Sequence, residues 1–518
     1  MKRIFVGGCL ACGLTLAAHS ANAQEPAPFA SAVLPADGDG SPGIFQEVAL
    51  PTAEVTWEAA SPAGEVCDNC QSSLFDINEY LNSDRPLLHF LRDRELADDI
   101  KWSAGGELRY RYMDERNRLR PAGTIRSTYD LWRVTPWLEV GNSKVKGYVQ
   151  AIDASIFDED APPTPIDENR ADLLQFYIDL ELMSDEAESL RFRYGRQFLS
   201  YGSQHLISPL GWANTWRNYE GSRLYYTSPD WNIDAFAVQP VNGATGNSYK
   251  PFSADHPDAS RWFGGVYTTY KAIENNTFDF YWLWLKENEP RPHPGQAGNA
   301  ADGNRHTFGV RWDGKRPMTE CGTVLRTWHW EAEGGFQVGE DTNLAGVEQD
   351  VRAGFISLQL DHTWNAMPWS PNFAGVFWWG SGDDNPGDGH YGTFSTLFPL
   401  GHAHWGQIDN FSGQNLLDYS LQASVKPTTK LTLASHFHWF TRPSQSDAVY
   451  NIVGAAAVPG GTNSHIGNEL DLLATYQVNK NLQVQAGYFW FWYGDAVDQS
   501  AAVRDDAEQF YLMMTLGF

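Results

Sequence analysis

The feature that most constrains this chain is a two-residue period that recurs in short stretches from residue 101 to its last residue. Leu108, Tyr110 and Tyr112 alternate with Glu107, Arg109 and Arg111. Leu174, Phe176, Ile178, Leu180 and Leu182 alternate with Gln175, Tyr177, Asp179 and Glu181. Phe278, Phe280, Trp282 and Trp284 repeat the pattern, as do Leu417, Tyr419, Leu421, Ala423 and Val425. Successive side chains of a β-strand point to opposite faces, so each stretch predicts a strand with one apolar and one polar face. The 47 Gly and 28 Pro supply turns between them and disfavour long helices.

A soluble sandwich alternates in the same way, so the discriminating features are length and ends. The stretches run about nine to eleven residues and are often flanked by Tyr, Trp or Phe, as tilted membrane-spanning strands with aromatic girdles are. Only a closed barrel leaves no backbone group unpaired in lipid. The final strand stops on Phe518, which resembles the C-terminal signature of bacterial outer-membrane barrels. Residues 101–518 hold about 18 strands at the spacing typical of large barrels. The expected fold is all-β, a transmembrane antiparallel barrel of about 18 strands, preceded by a disordered or short helical N-terminal extension.

The start of the chain reads as an export signal. Lys2 and Arg3 precede the apolar run from Ile4 to Ala18, and Ala21-Asn22-Ala23 offers a small-x-small cleavage site, giving a signal peptide over 1–23. That run is too short for a spanning helix, and Cys9 and Cys12 fall too early to make lipidation the better reading. Residues 24–100 are Pro/Ala-rich and acidic, fifteen Asp/Glu against Arg85, Arg92 and Arg94, and read as a periplasmic extension open to a periplasmic partner. Residues 86–100 are expected to form a short helix. Cys67 and Cys70 read as a local disulfide, since a zinc site needs a second ligand pair. Cys321 stands alone in an expected turn.

With 37 Lys+Arg against 64 Asp+Glu, the net charge of −27 argues against a nucleic-acid binder. Against that acidic background, arginines recur on the polar face of the early strands: Arg109, Arg111, Arg133, Arg191 and Arg193, with Arg196, Arg217 and Arg223 nearby. Asp179, Glu181 and Glu139 point to the same side. A lumen ringed by arginines selects anions, because the planar guanidinium grips carboxylates bidentately. Internal ion pairs that brace the wall explain the same residues equally well. Both readings stand at this point.

The stretch Arg193-Tyr194-Gly195-Arg196-Gln197-Phe198-Leu199-Ser200-Tyr201-Gly202 and the segment from Trp212 through Asn214, Arg217, Tyr219, Glu220 and Gly221 to Arg223 resemble the alginate-export family of outer-membrane barrels. Ser381–Pro386, Thr393–Pro399, Gly406–Asn410 and Gly467–Asp471 extend the resemblance in order along the chain. The resemblance implies an 18-stranded barrel in the outer membrane of a Gram-negative-type bacterium, whose arginine-lined lumen passes an anionic polysaccharide. It marks Arg196, Arg217 and Arg223 as the constriction; the other five arginines rest on alternation. The expected partners are an anionic saccharide or other anionic solute, and outer-membrane lipid and lipopolysaccharide. A general diffusion porin is the alternative within transport.

An enzyme is the alternative outside it. His436 and His438 alternate beside Ser435, with Glu469 and Asp471 on the following strand, but no motif fixes a nucleophile. The run Asp383–Gly389 is oxygen-rich yet lacks the spacing and terminal Glu of a calcium loop, and reads as a solvated turn. The expectation is a channel with no catalytic residues, no cofactor and no metal.

Overall fold

The computed structural model describes residues 87–119, 126–160, 166–242, 255–288, 291–292, 299–300, 303–342, 347–498 and 505–518. The signal segment and the Cys67/Cys70 pair lie outside the described residues. Eighteen antiparallel strands form one closed sheet. Each bonds to its neighbour in sequence, starting from Glu107–Arg116. The last, Ala507–Gly517, returns to pair with the first, Gln509 opposite Glu115 and Thr515 opposite Arg109. Closure removes every free edge, the condition for a sheet to sit in lipid. Helical structure among the described residues is limited to two three-residue 3-10 turns, His89–Leu91 and Gly401–Ala403, and one four-residue helix, Asp495–Asp498.

The two faces are inverted relative to a water-soluble protein. Leu421 is 70% exposed, Tyr194 60% and Phe373 57%, whereas Arg191, Asp341, Glu469 and Asp471 are all 0% exposed. Outward-facing Trp262, Trp282, Trp312, Trp328 and Trp439 add to an apolar belt that alternates strictly with the inward residues. An apolar surface of this extent is stable only against hydrocarbon.

Strand length departs from the nine to eleven residues expected. Asn169–Ser184 has 16, Gly303–Glu320 has 18 and Thr323–Thr342 has 20. The excess lies beyond the belt: at the start of Glu348–Thr363, the side chains of Glu348, Asp350 and Arg352 are exposed in place of apolar ones. Connections on one side are tight, such as Asp185–Glu188 and Cys321-Gly322, where Cys321 is exposed. On the other side they are long, as at 198–218, 381–415 and 442–464. Short turns face the periplasm in barrels of this kind and long loops face outward.

The expected short helix over 86–100 is replaced by a hairpin. After the His89–Leu91 turn, Arg94–Ala97 pairs antiparallel with Ile100–Gly105, around Asp98 and Asp99. Asp99 takes φ 61°, a left-handed turn conformation that ends any helix there. Ile100–Gly105 continues into the first barrel strand past Gly106, which exchanges two backbone hydrogen bonds of 2.9 Å with Phe518. A Cβ on Gly106 would lie 2.6 Å from the Phe518 ring and 3.0 Å from the Thr135 carbonyl. Gly106→Val is therefore expected to force the closing strand aside and cost about 1–3 kcal/mol, read as a lower urea midpoint in micelles.

Candidate functional site

Inward-facing strand residues and the in-folded loops together build the lumen. On Glu107–Arg116 the inward parity holds Arg109, Arg111, Met113 and Glu115, and on the next strand it holds Arg133. These three arginines converge on one short piece of the loop 198–218. Arg109 donates to the carbonyls of Gly211, Trp212 and Ala213 at 2.9, 3.1 and 2.7 Å. Arg111 donates to Trp212 at 3.0 Å and lies 4.0 Å over its ring. Arg133 reaches Gly211 and Ala213 at 3.1 and 2.9 Å and pairs with Glu107 at 2.5 Å.

The other sequence-selected arginines engage different partners. Arg191 and Arg193 share Asp179, at 2.6 and 2.7 Å, and Tyr225 donates to the same carboxylate. Arg191 also contacts Glu181 at 3.1 Å, and Arg193 lies 3.9 Å over the Tyr177 ring. Arg196 pairs with Glu220 at 3.3 Å and donates to the carbonyls of Leu173 and Asp255. Arg223 pairs with Asp234 at 2.5 Å. Arg217 lies on the loop itself, donating to the carbonyls of Ser208 and Pro399 at 3.3 and 3.2 Å. Glu139 pairs with Lys146 at 3.1 Å.

The loop 381–415 enters the lumen beside 198–218, and the two are joined. Ser208 N–H donates to the Phe398 carbonyl and Phe398 N–H to the Leu206 carbonyl, both at 2.9 Å. The Trp212 indole donates to Asp409 at 3.0 Å and stacks on His402 with centroids 3.6 Å apart, while His402 Nδ1 meets the same carboxylate at 3.0 Å. Leu400, Trp405, Ile408 and Phe411 are buried between the loops and the wall. Burial works against the Asp409 carboxylate, but His402, Arg118 and the Trp212 indole hold it below its usual range. A folded value below the unfolded one gives stability that is present above the unfolded value and lost as pH falls through the folded one. The joint is therefore expected to hold from neutral pH to about 5 and to loosen only below about pH 4, the ordinary aspartate range; conductance against pH reads this out.

Gly406, at φ +89°, seats the loop where a Cβ would collide with the Glu469 carboxylate. Gly406→Ala combines strained backbone with that collision and is expected to cost about 1–3 kcal/mol, measurable as easier proteolysis of the loop.

Sequence reasoning missed the matching network in the second half of the barrel. Arg305 pairs with Asp341 at 2.8 Å and with Gln337 at 3.0 Å, and Gln337 in turn holds both the N–H and the carbonyl of Ser395. Arg311 meets Asp279, Asp313 and Glu331 at 3.1, 2.8 and 2.5 Å. The available signal was the same inward parity, odd-numbered residues from Arg305 to Asp313. Of the residues weighed for hydrolysis, Ser435 faces away from the lumen, opposite in parity to buried His436 and His438. Asp384 to Gly389 are exposed as a solvated turn, while Asp383 is buried.

A model of the alginate export family matches residues 101–509. No curated protein matches the sequence. Among solved structures, the outer membrane protein OprD from Pseudomonas aeruginosa aligns with a TM-score of 0.52 at 12% identity, over 80% of this chain and 93% of that one. OccAB1 of Acinetobacter baumannii gives 0.52 at 12%, over 83% and 98%. OccK11 of Pseudomonas aeruginosa gives 0.51 at 12%, over 80% and 96%. At such identity the likeness is one of fold.

Proposed function

The chain belongs to the alginate export family, and on that premise we propose that its barrel passes an anionic saccharide through an arginine-bearing lumen, with no chemical step. It is an outer-membrane β-barrel channel, of a class that serves polysaccharide export or general diffusion. The observation that carries the anionic reading is the convergence of Arg109, Arg111 and Arg133 on the carbonyls of Gly211, Trp212 and Ala213. A carboxylate oxygen accepts from a guanidinium in the same geometry as a carbonyl and more strongly. A uronate-bearing chain that displaces the loop is thus offered donors already in place. Arg196, Arg217 and Arg223 then continue the path, Arg196 beside Glu220 and Arg223 beside Asp234, while Arg191 and Arg193, paired with Asp179 and Glu181, brace the wall beside it. Many weak sites in series let the polymer advance.

The test is block of single-channel current in planar bilayers by an oligouronate and by a neutral oligosaccharide of equal length. The expected result is block by the oligouronate alone, weakening as salt screens the arginines. Equal block by both would make the protein a general diffusion porin.

A further inference from the structure

The lumen wall carries a cluster of ligand-type side chains that passage of a saccharide does not use. Strand Leu431–Thr441 turns His436 and His438 inward. Across one side, Asp471 stands opposite His436 and Glu469 opposite His438. Across the other, Asp418 stands opposite Phe440, one inward position from His438. All five are buried, between 0% and 3% exposed.

The hydrogen bonding inside the cluster is incomplete on the acceptor side. His438 Nδ1 lies 2.7 Å from Asp418 Oδ2, so in the neutral imidazole Nδ1–H donates there and Nε2 carries the lone pair. That Nε2 lies 3.8 Å from Asp471 Oδ2. Asp418 Oδ1 and Glu469 Oε2 have no hydrogen-bond donor, and no donor meets either oxygen of Asp471 in good geometry, the Gln407 N–H and the Glu469 carboxyl being its nearest polar neighbours. Three buried carboxylates so short of donors are strongly disfavoured unless a cation or a proton compensates them. One donor atom each from His436, His438 and Asp471 already lies within 4.8 Å of the others.

We propose that His436, His438 and Asp471 bind a divalent transition metal of the zinc class. Two imidazoles and one carboxylate suit zinc, whereas calcium and magnesium prefer all-oxygen shells. Asp418 is the positioning residue: by accepting Nδ1–H of His438 it fixes the tautomer that presents Nε2, the usual carboxylate–histidine–metal arrangement. Ligands of a tetrahedral ion at about 2.0–2.1 Å stand about 3.3 Å apart, so binding draws these three inward by small side-chain rotations. Three protein ligands leave a fourth position for water or solute. Glu469, beside the site, accepts the Ile408 N–H at 2.8 Å, so the metal would brace the two strands under the seat of the lumen loop.

A second trio, His205, Glu331 and Glu333, makes an instructive contrast. There Arg311 and Ser203 bond Glu331, and His205 and Tyr281 bond Glu333, so the carboxylates are already compensated.

The experiment uses the untagged full-length barrel in micelles, stripped with chelator and titrated with Co²⁺ and, separately, Zn²⁺. The expected result is one tightly held equivalent of zinc by elemental analysis, visible d–d bands from cobalt, and a zinc-dependent rise in the thermal midpoint. Asp471→Asn and His438→Ala should abolish the bands, and Asp418→Asn should weaken binding about 10–100-fold; Ser435→Ala, on the outer face, should change nothing. Absence of cobalt bands and of retained zinc in the folded wild-type barrel would overturn the proposal, as would binding that survives in folded Asp471→Asn. Should a variant fail to fold, the wild-type titration and its thermal shift decide alone.

Discussion

Replacing Arg109, Arg111 and Arg133 together by alanine is expected to raise single-channel conductance several-fold while removing anion preference. Six charge-assisted hydrogen bonds tie these side chains to the carbonyls of residues 211–213. Bonds to a charged donor contribute about 1.5–3 kcal/mol each, not additively. About two-thirds of even the low end of that sum covers the ~5.5 kcal/mol that takes a two-state segment from almost always seated to almost always displaced. The joint between Trp212 and Asp409 remains, so the loop should flicker and the current become noisier. Two consequences with opposite signs, more current and less selectivity, separate this from simple damage. Unchanged conductance in the triple variant would mean that residues 211–213 are not in the path.

The second large effect is expected at Asp179. Its carboxylate serves Arg191, Arg193 and Tyr225 at once, and Arg191 is 0% exposed. Asp179→Asn keeps the shape but removes the charge that two buried guanidinium groups share, leaving Glu181 beside Arg191. Breaking one partner of a buried pair typically costs about 3–5 kcal/mol, to be read as a lower urea or thermal midpoint in micelles. The same variant leaves extra positive charge in the wall beside the lumen, so anion preference should strengthen. A stable Asp179→Asn barrel would contradict the bracing role given to Arg191 and Arg193.

The wall of this barrel is written openly in the sequence because each strand residue meets one of two very different solvents. Lipid on one side and a polar interior on the other enforce the alternation of Tyr110 with Arg111 or of Phe437 with His438 residue by residue. The hairpin before Gly106 was not legible, since Arg94–Ala97 is exposed throughout and has no apolar face to impose a period. Nor does any period mark the loops 198–218 and 381–415, whose buried residues are set by contacts with each other and with the wall. Only their motifs marked them: Trp212, Arg217, Gly406 and Asp409, drawn from family-like segments, are among the residues that lock the two loops together and seat them. Candidate site residues were legible by type and parity and not by partner. Alternation put Arg191 and Arg193 in the lumen, but that both close on Asp179 follows from strand register, which the sequence does not state. The same holds for His436 and Asp471, which the closed sheet sets directly opposite each other.

The most direct test of the account is the reversal potential of the purified barrel in a planar bilayer under a salt gradient, compared with the Arg109/Arg111/Arg133 alanine variant. The account predicts an anion-selective potential in the wild type that moves toward zero in the variant, and that shrinks as ionic strength rises. A cation-selective wild type, or an anion preference untouched by loss of the three arginines, would contradict it.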